Sequence, residues 1–375
     1  MSASNNKKKK TSVGKIILFV SEILILVALL VVMWLVLKST DEEKGVQKLS
    51  IDEKEIELTF PEEVKDNEVM KGYRNIALFG VDSREGELSK KTRSDTIIIA
   101  SINEETKEVK LLSVYRDTYL NIDPAGKRTF NKCNAAYAYG GADRAIKMLN
   151  ANLDLDITDF VTIGFEGLRD VVDALGGVYI DVDESEIKHL NNYQISMVES
   201  MNDIDTYTPV KETGMQLLNG LQATAYCRIR YTAGNDFKRT ERQREVIKAC
   251  LEVAQTIDVV KLKSICDNIF GEVYTSLDLS EILDLLTDVA KYKIIDEGGF
   301  PSMEHYTTGT IDGKSCVVPI DLETNVIWLH SFLFGEDDYK PSANVSEYSV
   351  AIRDETSRYL NAATTTSTEE DFGDD

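Results

Sequence analysis

Histidine is scarce in this chain. The three present, His189, His305 and His330, lie far apart and in no motif, so a histidine-centred zinc site or a Ser–His triad has no support. The five cysteines, Cys133, Cys227, Cys250, Cys266 and Cys316, show no CxxC spacing, which removes the common zinc and redox motifs. Their odd number leaves at least one thiol unpaired within the chain even if the protein is exported. Cys227 and Cys250 stand in apolar surroundings and are expected as small buried hydrophobes. Neither GxxxxGK[ST] nor GxGxxG occurs, so nucleotide binding has no anchor. Basic charge is also missing: the net charge is −22, which leaves no broad positive surface and excludes a general nucleic-acid binder.

What remains is ordinary globular material, 43% hydrophobic and 28% charged over 375 residues, enough for one large or two ordinary domains. One long apolar run stands out, Ile16 to Leu37, interrupted only by Ser21 and Glu22. As a helix it would span ~33 Å, enough for a bilayer core. It is too long for a secretory signal, and no small-residue cleavage site follows it. Lys7 to Lys10 and Lys15 precede it, whereas Asp41, Glu42 and Glu43 follow. The positive-inside rule then places residues 1–15 in the cytoplasm, 16–37 in the membrane as a single pass, and the rest outside the cell. Residues 38–72 are rich in Glu, Asp and Lys and read as a spacer. From Pro341 onward polar residues take over, so 341–375 is expected as a disordered tail.

Between these ends, apolar segments alternate with helical patterns. Arg74 to Gly80, Thr96 to Ser101 and Val109 to Val114 are continuous apolar runs, the mark of strands buried on both faces. Phe160 to Ile163, Val178 to Val182 and Cys316 to Ile320 are also strand-like. Helical spacing appears over 134–152, around a Gly140–Gly141 break, and over 242–257, 279–292 and 321–334. Alternating strands and helices predict an α/β sandwich with a central sheet.

In so acidic a chain the arginines are informative. Of fourteen, eight (Arg84, Arg93, Arg116, Arg228, Arg230, Arg239, Arg242, Arg244) fall in four short motifs. The richest stretch runs from Ala225 to Gln243. Arg228 and Arg230 are two apart and would share one face of a strand. Arg239, Arg242 and Gln243 are three and four apart and would share one face of a helix. Asp236 falls near the expected helix start, where a carboxylate can cap free N–H groups. Such a set suits an anion with several oxygens, a diphosphate above all. The bland alternative is a solvated helix end with ion pairs to acidic neighbours.

Three further motifs sit at strand ends, where an α/β sheet keeps its functional loops: Gly80-Val81-Asp82-Ser83-Arg84, Thr92-Arg93-Ser94-Asp95-Thr96 and Val114-Tyr115-Arg116-Asp117-Thr118. Each pairs an Asp with an Arg. Taken singly, each is best read as a loop salt bridge. Together, two converging carboxylates could hold Mg²⁺ and the arginines could neutralise a pyrophosphate.

The ordered pieces NIALFGVDSR, TRSDTIIIASIN, LLSVYRDT, NKCNAAYAYGGA, DALGGVYIDV, LNGLQATAYCRIRY and DFKRTERQREVI resemble the LytR–CpsA–Psr family of Gram-positive cell-envelope proteins. The likeness covers roughly residues 73–250. It implies a catalytic domain over 73–256, with 257–340 as an α/β extension of the same domain. It also implies a three-layer α/β/α sandwich with a central mixed sheet, preceded by one transmembrane helix and holding an apolar tunnel for a polyprenyl tail. The implied reaction is Mg²⁺-assisted (Mn²⁺ as substitute) transfer of a teichoic acid or capsule-type glycopolymer from a polyprenyl-pyrophosphate carrier to a muramic acid hydroxyl of peptidoglycan. By the same resemblance Asp82 and Asp95 are metal ligands, and Arg84, Arg93, Arg116, Arg228, Arg230, Arg239 and Gln243 bind the pyrophosphate. Lys132 and Asn134 match a Lys-x-Asn segment of less defined role.

Two positions depart from the family pattern. Tyr115 stands where Pro usually precedes the arginine, and Lys238 thickens the segment before Arg239. Asp117 or Asp236 would serve as general base beside Arg116. The competing functions are a lipid pyrophosphate hydrolase, using the same ligands, and a non-catalytic envelope regulator that binds polyprenyl phosphates.

Overall fold

Every position of the strand Tyr73–Val81 (β1) is apolar or nearly so after Asn75, and the computed structural model shows why. It describes residues 56, 60–82, 88–89, 92–200, 206–230 and 235–366. After a helical turn at Glu62–Lys65 (α1), β1 enters the middle of a six-stranded sheet. It pairs antiparallel with Ser94–Asn103 (β2) and parallel with Asp159–Ile163 (β6). Beyond β2 lies Glu108–Val114 (β3), antiparallel, and then Lys293–Phe300 (β10), parallel. Beyond β6 lies Val273–Thr275 (β9), antiparallel. The sheet is therefore mixed, with both edge strands drawn from the last third of the chain.

Both faces are covered. Ala77, Phe79, Val81, Ile97 and Ile99 point into one core with helices Asn134–Leu153 (α2), Leu322–Phe334 (α9) and Ala343–Thr366 (α10). Ile76, Leu78, Ile98, Ala100 and Ile102 point the other way, against Ile247 of Asn235–Ala254 (α6) and Leu285 of Leu279–Thr287 (α8). Period-two alternation with apolar residues on both faces gives the unbroken runs seen in the sequence. The result is a three-layer α/β/α sandwich. A third core joins Phe165–Leu175 (α3), Val178–Val182 (β7), Glu184–Ser200 (α4), Gly214–Leu218 (β8), Gly220–Cys227 (α5) and the outer side of α6. β7 pairs only with β8, outside the main sheet. Val259–Ile269 (α7) completes the helices. The hairpin Tyr306–Ile311 (β11) and Lys314–Pro319 (β12) flanks the pair Tyr119–Asn121 (β4) and Phe130–Lys132 (β5), touching it through the Thr118–Val317 bridge.

Two glycines carry local weight. Gly141 has φ 67° and ψ −157° inside α2, which kinks the helix where the Gly140–Gly141 break is expected. A Cβ on Gly80 would lie 2.8 Å from the Thr96 side chain, so the close pairing of β1 and β2 at the mouth of the site requires glycine.

The expected disordered tail over 341–375 is corrected in its described part. Ala343–Thr366 forms α10, and Val345, Tyr348, Ile352 and Thr356 are buried at steps of three and four. Four buried side chains in a polar segment are enough to dock a helix on an existing core. The expected membrane run 16–37 lies outside the described residues. Among the described residues no helix is long and apolar enough to cross a membrane.

Candidate anion and lipid site

A cavity of about 480 Å³ opens between the sheet and helices α3 and α6. Its walls are apolar: Leu78, Ile98 and Val161 from the sheet, Leu168 and Val171 from α3, Val246, Ile247 and Cys250 from α6. Its polar lining includes Asp82, Asp95, Arg228, Arg230, Arg239 and Gln243. A greasy pocket with a cluster of charged groups is the form expected for a ligand with an apolar body and an ionic head.

Asp95, near the start of β2, organises the charged groups. One carboxylate oxygen accepts from Arg116 Nη1 at 2.9 Å and the other from Arg230 Nη2 at 3.0 Å. Its backbone carbonyl accepts from Arg239 Nη2 at 2.9 Å. Asp236, in the first turn of α6, lies 3.1 Å from Arg239, 3.3 Å from Arg116 and 4.0 Å from Arg230. Two carboxylates thus hold three guanidiniums together.

The charge is not balanced. Arg239 is 1% exposed, and its Nε and Nη1 are buried without a protein partner. Burial, then crowding by Arg116 and Arg230, pushes the Arg239 guanidinium down to about 10, against the pull of Asp236 and Asp95. Buried donors of this kind are costly unless met. Arg239 also lines the cavity, so the oxygens of a phosphate bound there are candidate partners for these donors.

The other expected residues fall as follows. Arg228 is on no strand: it caps the C-terminus of α5 with φ −93° and ψ −12°. Its guanidinium carbon lies 4.4 Å from the Phe165 ring centre and 5.3 Å from that of Tyr193, a cation–π sandwich at the cavity wall. Arg230 follows in the irregular segment after α5, so the shared strand face expected for the two is corrected to a turn. Gln243 lines the cavity, but its Nε2 donates to the Cys227 carbonyl at 3.5 Å while Oε1 has no protein partner. Arg242 does not share the cavity face with Arg239 and Gln243; it pairs with Glu186 at 2.7 Å. Arg93 is exposed and does not line the cavity. Arg84 lies outside the described residues.

Asp117 sits behind Arg116, with Oδ1 3.0 Å from Lys132 Nζ and Oδ2 3.9 Å from Arg116 Nε. Lys132 thereby acquires a partner at the site, and Asn134, its side chain buried, opens α2. Tyr115 donates its backbone N–H to the Phe300 carbonyl at 3.0 Å, a bond that proline could not make. Lys238 pairs with Glu241 at 2.7 Å along α6. Sequence reasoning missed Phe165, Tyr193, Leu168 and Val171; only the position of Phe165, just past the end of β6, could have pointed to one of them.

Asp82 follows β1 directly and Asp95 lies in the antiparallel partner strand, where Val81 faces Ser94. Both line the cavity. No group of three or more His, Cys, Asp or Glu suited to a metal occurs among the described residues. Two hard oxygen donors beside an anion pocket fit Mg²⁺ only if phosphate oxygens and water complete its shell, which is the usual habit of that ion. All five cysteines are free; Cys133, Cys227 and Cys316 are buried and Cys250 partly so.

A model of the LytR_cpsA_psr family matches residues 33–319. A polyisoprenyl-teichoic acid–peptidoglycan teichoic acid transferase TagU of Oceanobacillus iheyensis is 34% identical over 58% of this chain and 62% of its own length. The Bacillus subtilis TagU is 32% identical over 57% of this chain and 63% of its own. The chain thus spans less than two thirds of these relatives. Among solved structures, a transcriptional regulator from Enterococcus faecalis has a TM-score of 0.60 at 25% identity, covering 78% of this chain and 98% of that one. TagT with bound octaprenyl pyrophosphate lipid has a TM-score of 0.54 at 22% identity, covering 72% and 92%; at that identity the likeness speaks for the fold. With the ordered motifs, the sandwich and the family match in agreement, the chain belongs to the LytR–CpsA–Psr family.

Proposed function

We propose that this protein is a membrane-anchored phosphotransferase. It moves an anionic glycopolymer, of teichoic acid or capsule type, from a polyprenyl-pyrophosphate carrier to peptidoglycan. The observation that carries this reading is Arg239, buried with two unmet donors where a largely apolar cavity meets a cluster of arginines. The tail of a prenyl lipid suits the apolar walls, and its diphosphate suits Arg228, Arg230 and Arg239. The transferase relatives and the lipid-bound TagT fold support the same reading.

In the reaction an acceptor sugar hydroxyl attacks the phosphorus that bears the glycopolymer. A new P–O bond forms, the bond to the bridging oxygen breaks, and polyprenyl monophosphate leaves with the electron pair. The arginines hold the diphosphate in line and meet the charge that grows on the leaving oxygens. Asp82 and Asp95 would hold Mg²⁺, which when bound neutralises phosphate charge. Asp236 is engaged by three guanidiniums and spaces them. Asp117, 3.0 Å from Lys132 Nζ and 3.9 Å from Arg116 Nε, is the carboxylate we assign to receive the acceptor proton.

The test is product analysis with a polyprenyl-diphosphate-linked polymer and peptidoglycan. Polymer covalently joined to peptidoglycan is expected. Free phosphorylated polymer with no acceptor bond would make the protein a hydrolase, and lipid binding without turnover would make it a regulator. The anchor reading places residues after Thr40 outside the cell. Protease added to intact cells should remove the domain; a fully protected domain would refute that topology.

A further inference from the structure

Arg228 and Arg230 project from a turn that no strand ladder holds. Ile229 between them is fully buried, and its carbonyl accepts from Arg242 Nη1 at 3.2 Å. Arg242, 1% exposed and outside the cavity lining, donates through Nε to Glu186 Oε1 at 2.7 Å. The second oxygen of Glu186 accepts from the Asp183 N–H at 2.9 Å, ahead of α4. One buried ion pair therefore ties the start of α4, the turn after α5 and the middle of α6.

We propose that Arg242 and Glu186 are positioning residues for phosphotransfer. They fix the Ile229 turn so that Arg228 and Arg230 stand at a set distance from Arg239, and so define the width of the diphosphate clamp. The inference rests on the reading of the cavity as a lipid diphosphate site. A planar guanidinium can serve a carboxylate and a carbonyl at once, in fixed directions; an ammonium is a point charge on a flexible stem. Stability alone is a poor reason for such a pair, because apolar residues of similar volume often replace a buried ion pair without loss.

The full chain in detergent is compared with Arg242→Lys and with the double variant Glu186→Leu/Arg242→Met. Three quantities are read: thermal midpoint, affinity for polyprenyl diphosphate against polyprenyl monophosphate, and the Nε–Hε resonances of the arginines. Expected are a near-parental midpoint in at least one variant, diphosphate affinity about tenfold weaker, a smaller loss for monophosphate, and displaced or broadened Arg228 and Arg230 signals. The Arg74 and Arg244 signals should stay. A variant that keeps the midpoint and binds diphosphate like the parent overturns the proposal. So does unfolding of both variants, which would make the pair a determinant of the fold. If the parent itself binds no lipid diphosphate, the lipid reading fails, and the resonances still report whether the pair holds the turn.

Discussion

The backbone carbonyl of Asp95 accepts a hydrogen bond from Arg239 Nη2 at 2.9 Å. Helix α6 is thereby fastened to β2 at the residue whose side chain also holds Arg116 and Arg230. Arg239 uses one nitrogen for this structural bond, while Nε and Nη1 are buried with no protein partner.

Arg239→Lys should therefore separate binding from folding. Lysine keeps the charge but offers no planar fork for two phosphate oxygens. Loss of a hydrogen bond to a charged group costs roughly 1.5–3 kcal/mol, or about one to two orders of magnitude in affinity. Lipid-diphosphate binding weakened by that amount is expected, with only a small drop in midpoint, because an ammonium can still meet one acceptor at Asp95 or Asp236. Intact affinity with a lowered midpoint would reduce Arg239 to a structural ion pair.

Asp95 gives a pH test. Burial alone would raise its carboxyl, but Arg116, Arg239 and Arg230 together hold it below the ordinary value. A depressed carboxylate contributes stability that is present above its unfolded value, near 3.9, and lost as pH falls through the folded one. Asp95→Asn should lower the thermal midpoint at neutral pH and converge with the parent in acid. A difference that stays constant down to pH ~2 would show that Asp95 stabilises by shape and not by charge.

The metal assignment predicts that Asp82→Ala raises the Mg²⁺ concentration needed for half-maximal transfer, with the fold intact. Asp95→Ala should abolish transfer, because it loses the arginine geometry as well. Full activity of both variants at limiting Mg²⁺ would remove the metal from these residues.

The cavity predicts dependence on tail length. Leu168→Trp places bulk against the apolar wall and should weaken binding of long prenyl diphosphates while leaving inorganic pyrophosphate unaffected. Equal losses for both ligands would point to damage at the charged end instead.

The sheet was legible because its strands are apolar on both faces, and the charged groups because arginine is rare and clustered in an acidic chain. The turn at Arg228–Arg230 was not: a buried Ile229 between two arginines has the alternation of a strand, while backbone bonds to Ala225 and Tyr226 and tertiary contacts from Arg242 and Gln243 hold it as a turn. α10 was hidden because Val345, Tyr348 and Ile352 are a thin stripe among polar residues. The partners of Asp95 were hidden for a third reason. Arg230 is 135 residues away from it in sequence, and no local pattern encodes such a contact.

The order of strands, β10-β3-β2-β1-β6-β9, separates the chemistry from the means of staying soluble. A chain cut after residue 256 would keep all the charged groups at the cavity mouth. It would also lose β9 and β10, and β3 and β6 would become bare borders with unpaired N–H and C=O groups. Such borders recruit other chains. The described residues form one unit, and a fragment trimmed to the motif block is expected to precipitate as strand-paired aggregates before its chemistry could be measured.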